Sequence, residues 1–167
     1  MRAGIAFGSN LGDRLRLLRQ ARACLLACPL LAPPVLASRI YLTTPVDCPP
    51  GSDSFFNAVL EAELTGAPGD LLRAMSACEE ALGRAEERTA RNAPRSIDLD
   101  LLYAGDCAQS IGPLILPHPR MAQRRFVLAP LADIRPGLVL PGQHRTIAEL
   151  LDALPPGDLA EPISEPW

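Results

Sequence analysis

The chain predicts an α+β domain in which strands and helices follow the order β-α-β-β-α-β, the split βαβ pattern, with further helical segments after the fourth strand. Three observations carry this. Four short runs, Gly4–Phe7, Val35–Thr43, Phe56–Leu64 and Ile97–Tyr103, are apolar or alternate at strand spacing, and two runs between them repeat at helical spacing. Turn formers such as GSNLGD, TPVDCPPGSDS and TGAPGD stand at the junctions. No long linker interrupts the 167 residues, so one domain over 1–167 is expected, with a proline-rich, loosely held tail from about 155.

Each element has its own signal. After Gly4–Phe7, Asp13 reads as the N-cap of a helix whose Leu11, Leu15, Leu18 and Leu25 share a face, and Pro29, Pro33 and Pro34 end it. Val35–Thr43 and Phe56–Leu64 read as antiparallel strands. The second helix starts after TGAPGD, repeats Leu71, Leu72, Met75, Cys78 and Leu82, and stops at Gly83. An arginine-rich stretch, Arg84–Arg95, leads into the fourth strand. Helices near Met121–Ile134 and Ile147–Leu154, with a short LVLPG strand between them, complete the chain. The order is the ferredoxin-like one, βαββαβ, its sheet covered by helices on one face and followed by C-terminal helical additions.

Composition narrows the chemistry. A net charge of −3 offers no general attraction to nucleic acid, so any anion site must be local. All 16 basic residues are arginine, which excludes a lysine-bearing phosphate loop and Schiff-base chemistry. No run is long and apolar enough for a membrane span, and the first residues do not read as a signal peptide, so a cytoplasmic location is expected. The five cysteines form no CxxC pair and are read as reduced thiols.

The most informative stretch is RNAPRSIDLDLL, residues 91–102. On a strand Ser96, Asp98 and Asp100 share one face and Ile97, Leu99 and Leu101 the other. The two aspartate Cβ atoms are then roughly 7 Å apart, and the carboxylates repel by about 2 kcal/mol at an effective dielectric near 20. A solvated strand face tolerates that repulsion, and so does a divalent cation, since magnesium takes one or two carboxylates plus substrate phosphates. Arg84, Arg88, Arg91 and Arg95 tilt the balance toward the cation, because guanidinium forks match phosphate oxygens. His118, in LPHPRMAQRRF beside Arg120, Arg124 and Arg125, is suited to donate to phosphate. Phe55, Phe56 and Phe126 read either as core or as walls for a flat heterocycle, with Asn57 able to donate and accept at its edge.

These motifs, AFGSNLGDR, YLTTPV, FFNAVLE, RNAPRSIDLDLL and PHPRMAQRRFVLAPL, resemble in order those of the 6-hydroxymethyl-7,8-dihydropterin pyrophosphokinase family of folate biosynthesis. The resemblance implies a ferredoxin-like fold and transfer of pyrophosphate from ATP, the co-substrate, to the hydroxymethyl group of 6-hydroxymethyl-7,8-dihydropterin, releasing AMP. It implies two Mg2+ ions on Asp98 and Asp100, and Arg84, Arg95 and Asp98 as catalytic residues. Pterin would be held by Thr43, Thr44, Val46, Phe55, Asn57 and Phe126, and ATP by Glu79, Arg84, Arg95, His118 and Arg124. Small-molecule substrates are the expected partners of a monomer, with neither nucleic acid nor membrane. The chain departs from the family in having Phe55 where tyrosine is frequent, Asn92 where some members carry tryptophan, and Pro113 where others place an arginine. Two other readings share parts of the pattern. A D-x-D nucleotidyl- or glycosyltransferase would not need the aromatic pocket, and a ferredoxin-like RNA module would not present two carboxylates to a phosphate backbone.

Overall fold

Strand β1 (Arg2–Ser9) is paired along both of its edges, and its alternation decides which residues meet which layer. The computed structural model describes residues 1–83, 96–112 and 114–167. After β1 come α1 (Arg14–Leu26), β2 (Leu31–Ala37), β3 (Tyr41–Thr43), β4 (Phe55–Leu64), α2 (Pro68–Ala81) and β5 (Asp98–Ala104). A hairpin of β6 (Gln109–Ile111) and β7 (Leu114–Leu116), α3 (Arg125–Ile134), α4 (Ile147–Asp152) and β8 (Ala160–Pro162) follow. The main sheet runs β5-β1-β4-β3-β8, and β2 also pairs with β4.

Ala3, Ile5 and Phe7 of β1 and Ala58, Leu60 and Ala62 of β4 point to the side covered by α1 and α2. There Leu18, Leu25, Leu71 and Met75 are at most 1% exposed. Fully burying a side chain of this kind contributes about 1.5–3 kcal/mol. The opposite side carries a second apolar cluster, with Val59, Leu102 and Tyr103 from the sheet packed on Val127, Leu128 and Leu131 of α3 and on Ile147 of α4. The C-terminal helical additions therefore cover the second face of the sheet. Gly4 allows this packing, because a Cβ there would lie 2.2 Å from the Tyr103 ring.

Asp13 caps α1 as its position suggested, accepting a hydrogen bond from Arg16 N–H at 3.0 Å. Leu11 is not on that helix, which begins at Arg14, and it is 41% exposed. Pro33 and Pro34 lie inside β2, where a register shift between Ala32 and Leu36 leaves them outside the ladder. The strand expected over Val35–Thr43 is thus two strands, broken at residues 38–40. The expected LVLPG strand is absent: residues 138–142 form no ladder, and Leu140 instead buries its side chain in the α3–α4 cluster. The tail differs too, because β8 pairs with β3 and the Trp167 ring sits edge-on to Phe7 at 4.9 Å.

Candidate active site

Three strands place the predicted residues in one row. Gly8 of β1 faces Asn57 of β4 on one side and Asp98 of β5 on the other, and Ala6 faces Asp100. On β3, Tyr41 faces Asn57 and Thr43 faces Phe55. Thr43, Phe55, Asn57, Asp98 and Asp100 thus share the side of the sheet on which α3 lies. Phe56 points to the other side, where the Arg14 guanidinium lies 4.1 Å from its ring centroid. Of the two adjacent phenylalanines, strand parity leaves only Phe55 for the site.

Asn57 and Thr43 are 7% and 1% exposed, and Asn57 Nδ2 donates to Thr43 Oγ1 at 2.7 Å. This bond fixes the amide rotamer, leaving Oδ1 turned toward Gly8, where a Cβ would approach it to 3.0 Å. Thr44 and Val46 continue from β3 into the following turn. Thr44 N–H donates to Leu159 C=O at 3.4 Å, and the Val46 carbonyl accepts from the Cys48 thiol at 3.3 Å. Strand β4 is separated from the aspartate strand by β1 alone, which sets the two halves of the site about 10 Å apart at the usual spacing of neighbouring strands.

The aspartate strand is anchored from several directions. Glu79 of α2, 6% exposed, accepts from Leu99 N–H at 2.8 Å, between the two aspartates. Ser9 Oγ donates to Ser96 C=O at 2.5 Å. His118 N–H donates to Leu102 C=O at 2.8 Å, which pins His118 beside the strand. Its Nδ1 accepts from Arg120 N–H at 3.3 Å. Burial, with the charges of Arg124 and Arg120, outweighs the attraction of Asp100 and holds the imidazole below its usual pKa of 6.5. The ring is therefore neutral at pH 7, with Nε2–H as its outward donor.

Arg124 joins the two halves. Its guanidinium lies 3.7 Å from Asp100 Oδ2 and 5.3 Å from the centroid of the Phe126 ring. Burial and then the neighbouring Arg120 push its pKa down, a cost that an incoming anion would relieve. Phe126, the second residue of α3, is the aromatic group on the far side of this cation. Arg84 and Arg95, with Arg88, Arg91, Asn92 and Pro113, lie outside the described residues.

No group of three or more His, Cys, Asp or Glu capable of holding a metal occurs among the described residues. The donor set is two carboxylates on one strand face. That suits a hard cation whose other ligands are water and phosphate, and does not suit zinc. Sequence reasoning missed Gly8 as the floor between the halves, because only the register of three strands shows it. The Arg14 anchor was also missed: Arg14 Nη1 donates to Ser54 C=O at 2.6 Å, holding the end of the loop before β4.

Residues 4–136 match the 7,8-dihydro-6-hydroxymethylpterin-pyrophosphokinase (HPPK) family. The chain belongs to that family. The 2-amino-4-hydroxy-6-hydroxymethyldihydropteridine pyrophosphokinase of Pseudomonas aeruginosa is 39% identical over 157 residues, covering 92% of each chain. That of Methylorubrum extorquens is 37% identical over 158 residues, 95% of this chain and 96% of the relative. The folic acid synthesis protein fol1 of Schizosaccharomyces pombe is 37% identical over 157 residues, 92% of this chain. The chain spans only 20% of fol1, and 24% of the corresponding Dictyostelium discoideum protein. In fold, it resembles Plasmodium falciparum HPPK-DHPS crystallised with pteroate, at a TM-score of 0.69 over 90% of this chain and 42% of that one, with 15% identity. Family members are thus both single-domain-sized bacterial chains and parts of longer proteins.

Proposed function

We propose that the chain transfers the β,γ-pyrophosphoryl group of ATP to the hydroxymethyl oxygen of 6-hydroxymethyl-7,8-dihydropterin, releasing AMP, as a cytoplasmic monomer using two magnesium ions. The observation that carries this reading is the row Asn57–Gly8–Asp98, which sets an amide suited to a heterocycle edge and a carboxylate pair on one sheet face.

The ring is received by Phe55 and Phe126 as flat walls, while Asn57, with Thr43, Thr44 and Val46, meets its polar edge. Asn57 enters this contact with its rotamer already set by Thr43, so little side-chain freedom is lost on binding. Arg124, His118 Nε2–H and the loop arginines Arg84 and Arg95 hold the triphosphate. Asp98 and Asp100 would hold magnesium, which when bound neutralises phosphate charge and orients the transferred group. Glu79 serves ATP through the strand that it fixes and through its own carboxylate.

The substrate hydroxyl oxygen bonds to the β-phosphorus as the bond from that phosphorus to the α–β bridging oxygen breaks. AMP departs with the bridging oxygen, and the hydroxyl proton passes to Asp98. Positioning and charge stabilisation by this chain's arginines supply the rate gain, since phosphoryl transfer asks little covalent chemistry of the protein.

Purified protein mixed with ATP, magnesium and the pterin should release AMP only when the pterin is present. ADP as the nucleotide product would overturn the reaction class. Gly8→Ala should raise the pterin KM roughly a few-fold at saturating ATP, because a Cβ there would stand 3.0 Å from Asn57 Oδ1 and a full 1 Å misplacement can cost about 10²-fold. An unchanged pterin KM would remove Asn57 from the binding edge.

A further inference from the structure

We infer that residues 159–167 are a positioning strap for the pterin side of the site, anchored by Trp167 and acting through strand β3. The inference rests on the reading of Thr43–Val46 as pterin contacts.

Strand β3 is three residues long, and among the described residues β4 and β8 are the strands that flank it. On the β8 side, Tyr41 faces Pro162, Leu42 faces Glu161 and Thr43 faces Ala160. The ladder extends beyond the strand at both ends, from Thr44 N–H to Leu159 C=O at 3.4 Å and from Ile163 N–H to Ile40 C=O at 2.9 Å. These two bonds set the antiparallel alternation, which makes Leu42–Glu161 the hydrogen-bonded pair between them. Without β8, β3 would be an edge strand held from one side, and its last residue carries the hydroxyl that fixes Asn57.

Trp167 secures the other end of the strap. Its Nε1–H donates to Ser38 C=O at 2.7 Å, its ring meets Phe7 edge-on at 71°, and the Arg22 guanidinium lies 5.4 Å from its centroid. Arg19 Nε also donates to Pro166 C=O at 3.0 Å. Ser38 is the bend between β2 and β3. It is itself pinned to β4, with Ser38 N–H donating to Val59 C=O and Val59 N–H to Ser38 Oγ, both at 2.9 Å. The strap therefore grips β3 along its ladder and at the bend that launches it. Pro162 and Pro166 lower the entropy lost when this segment is ordered.

Loosening the strap lowers the fraction of molecules with Thr43–Val46 in the binding geometry, so apparent pterin affinity falls by that fraction. Trp167→Ala and Glu161→Pro should each raise the pterin KM by about tenfold. In both variants kcat at saturating pterin and the KM for ATP should stay near wild type. Trp167→Phe keeps the ring edge but loses the N–H donor, and should fall between. Hydrogen exchange should quicken at the amides of residues 41–46 while those of β1 and β5 remain protected.

A strap with a merely structural role would lower the active fraction and the melting temperature without separating the two KM values. Equal changes in both KM values, or none in a folded variant, would overturn the inference. Wild-type protein without pterin-dependent AMP release would instead overturn the proposed reaction itself, so the two failures can be told apart.

Discussion

Asp98→Asn is expected to give a folded protein that releases AMP about 10³-fold more slowly, the scale seen when one charge-stabilising group is removed from a preorganised site. Asp98 is half-buried at the start of β5, and the strand is anchored by bonds from Glu79, Ser9 and His118. Asparagine matches aspartate in size and keeps an acceptor oxygen, so the fold should survive, and the melting temperature measured without magnesium reports whether it does. Loss of activity together with unchanged or improved stability marks a residue kept for its ligand. Near-normal turnover at saturating magnesium would remove Asp98 from the metal site, and a large drop in melting temperature would reassign it to the fold.

The second large effect is expected at Glu61, on the same sheet face but away from the aspartates. Its carboxylate is buried, accepts from Tyr103 Oη at 2.6 Å and from Arg135 Nη2 at 2.6 Å, and also pairs with Arg2 at 3.1 Å. Glu61→Ala leaves the Tyr103 hydroxyl buried without this acceptor and should destabilise the protein by about 3 kcal/mol. That is the low end for a broken buried pair, because Arg135 and Arg2 can turn toward water.

The pH dependence has a definite sign. Burial alone would raise the carboxyl pKa, but hydrogen bonds from Arg135 and Tyr103 and the charges of Arg135 and Arg2 hold it below its usual 4.5. As pH falls, the unfolded chain takes up this proton first. The contribution is therefore complete above about pH 4.5 and is lost as pH falls through the lower folded value. Denaturant titrations of wild type and Glu61→Gln across that range should converge at the acid end. Parallel curves would show that the carboxylate charge contributes nothing.

Much of the candidate site's geometry was readable because strand periodicity is a local rule. Asp98 and Asp100 declared a shared face from their spacing alone, and the structure adds Gly8 and Ala6 as their neighbours. The βαββαβ order was legible for the same reason, since each element carried its own period and its own turn. Non-local relations were not legible. Alternation puts Phe55 and Phe56 on opposite faces, but only the cross-strand pairing shows which of them shares the face of Asp98. Pro33 and Pro34 read as terminators because a proline cannot join a regular ladder, yet a register shift in β2 gives them a place. The LVLPG segment had strand-like composition without a partner strand, and side-chain burial of Leu140 replaced the ladder. Trp167 gave no signal at all, because its value depends on Phe7 and Ser38, far away in the sequence.

The row Asn57–Gly8–Asp98 also constrains motion. Its three residues belong to strands joined edge to edge by backbone hydrogen bonds, so the Asn57 amide and the carboxylate pair behave as fixed marks on one gauge. Neither can slide toward the other without breaking the ladder between them. On the proposed reading, adjustment to substrates would fall to parts hung from the gauge, such as the start of α3 where Phe126 stands. The sheet keeps the distance while those attachments close on whatever matches it.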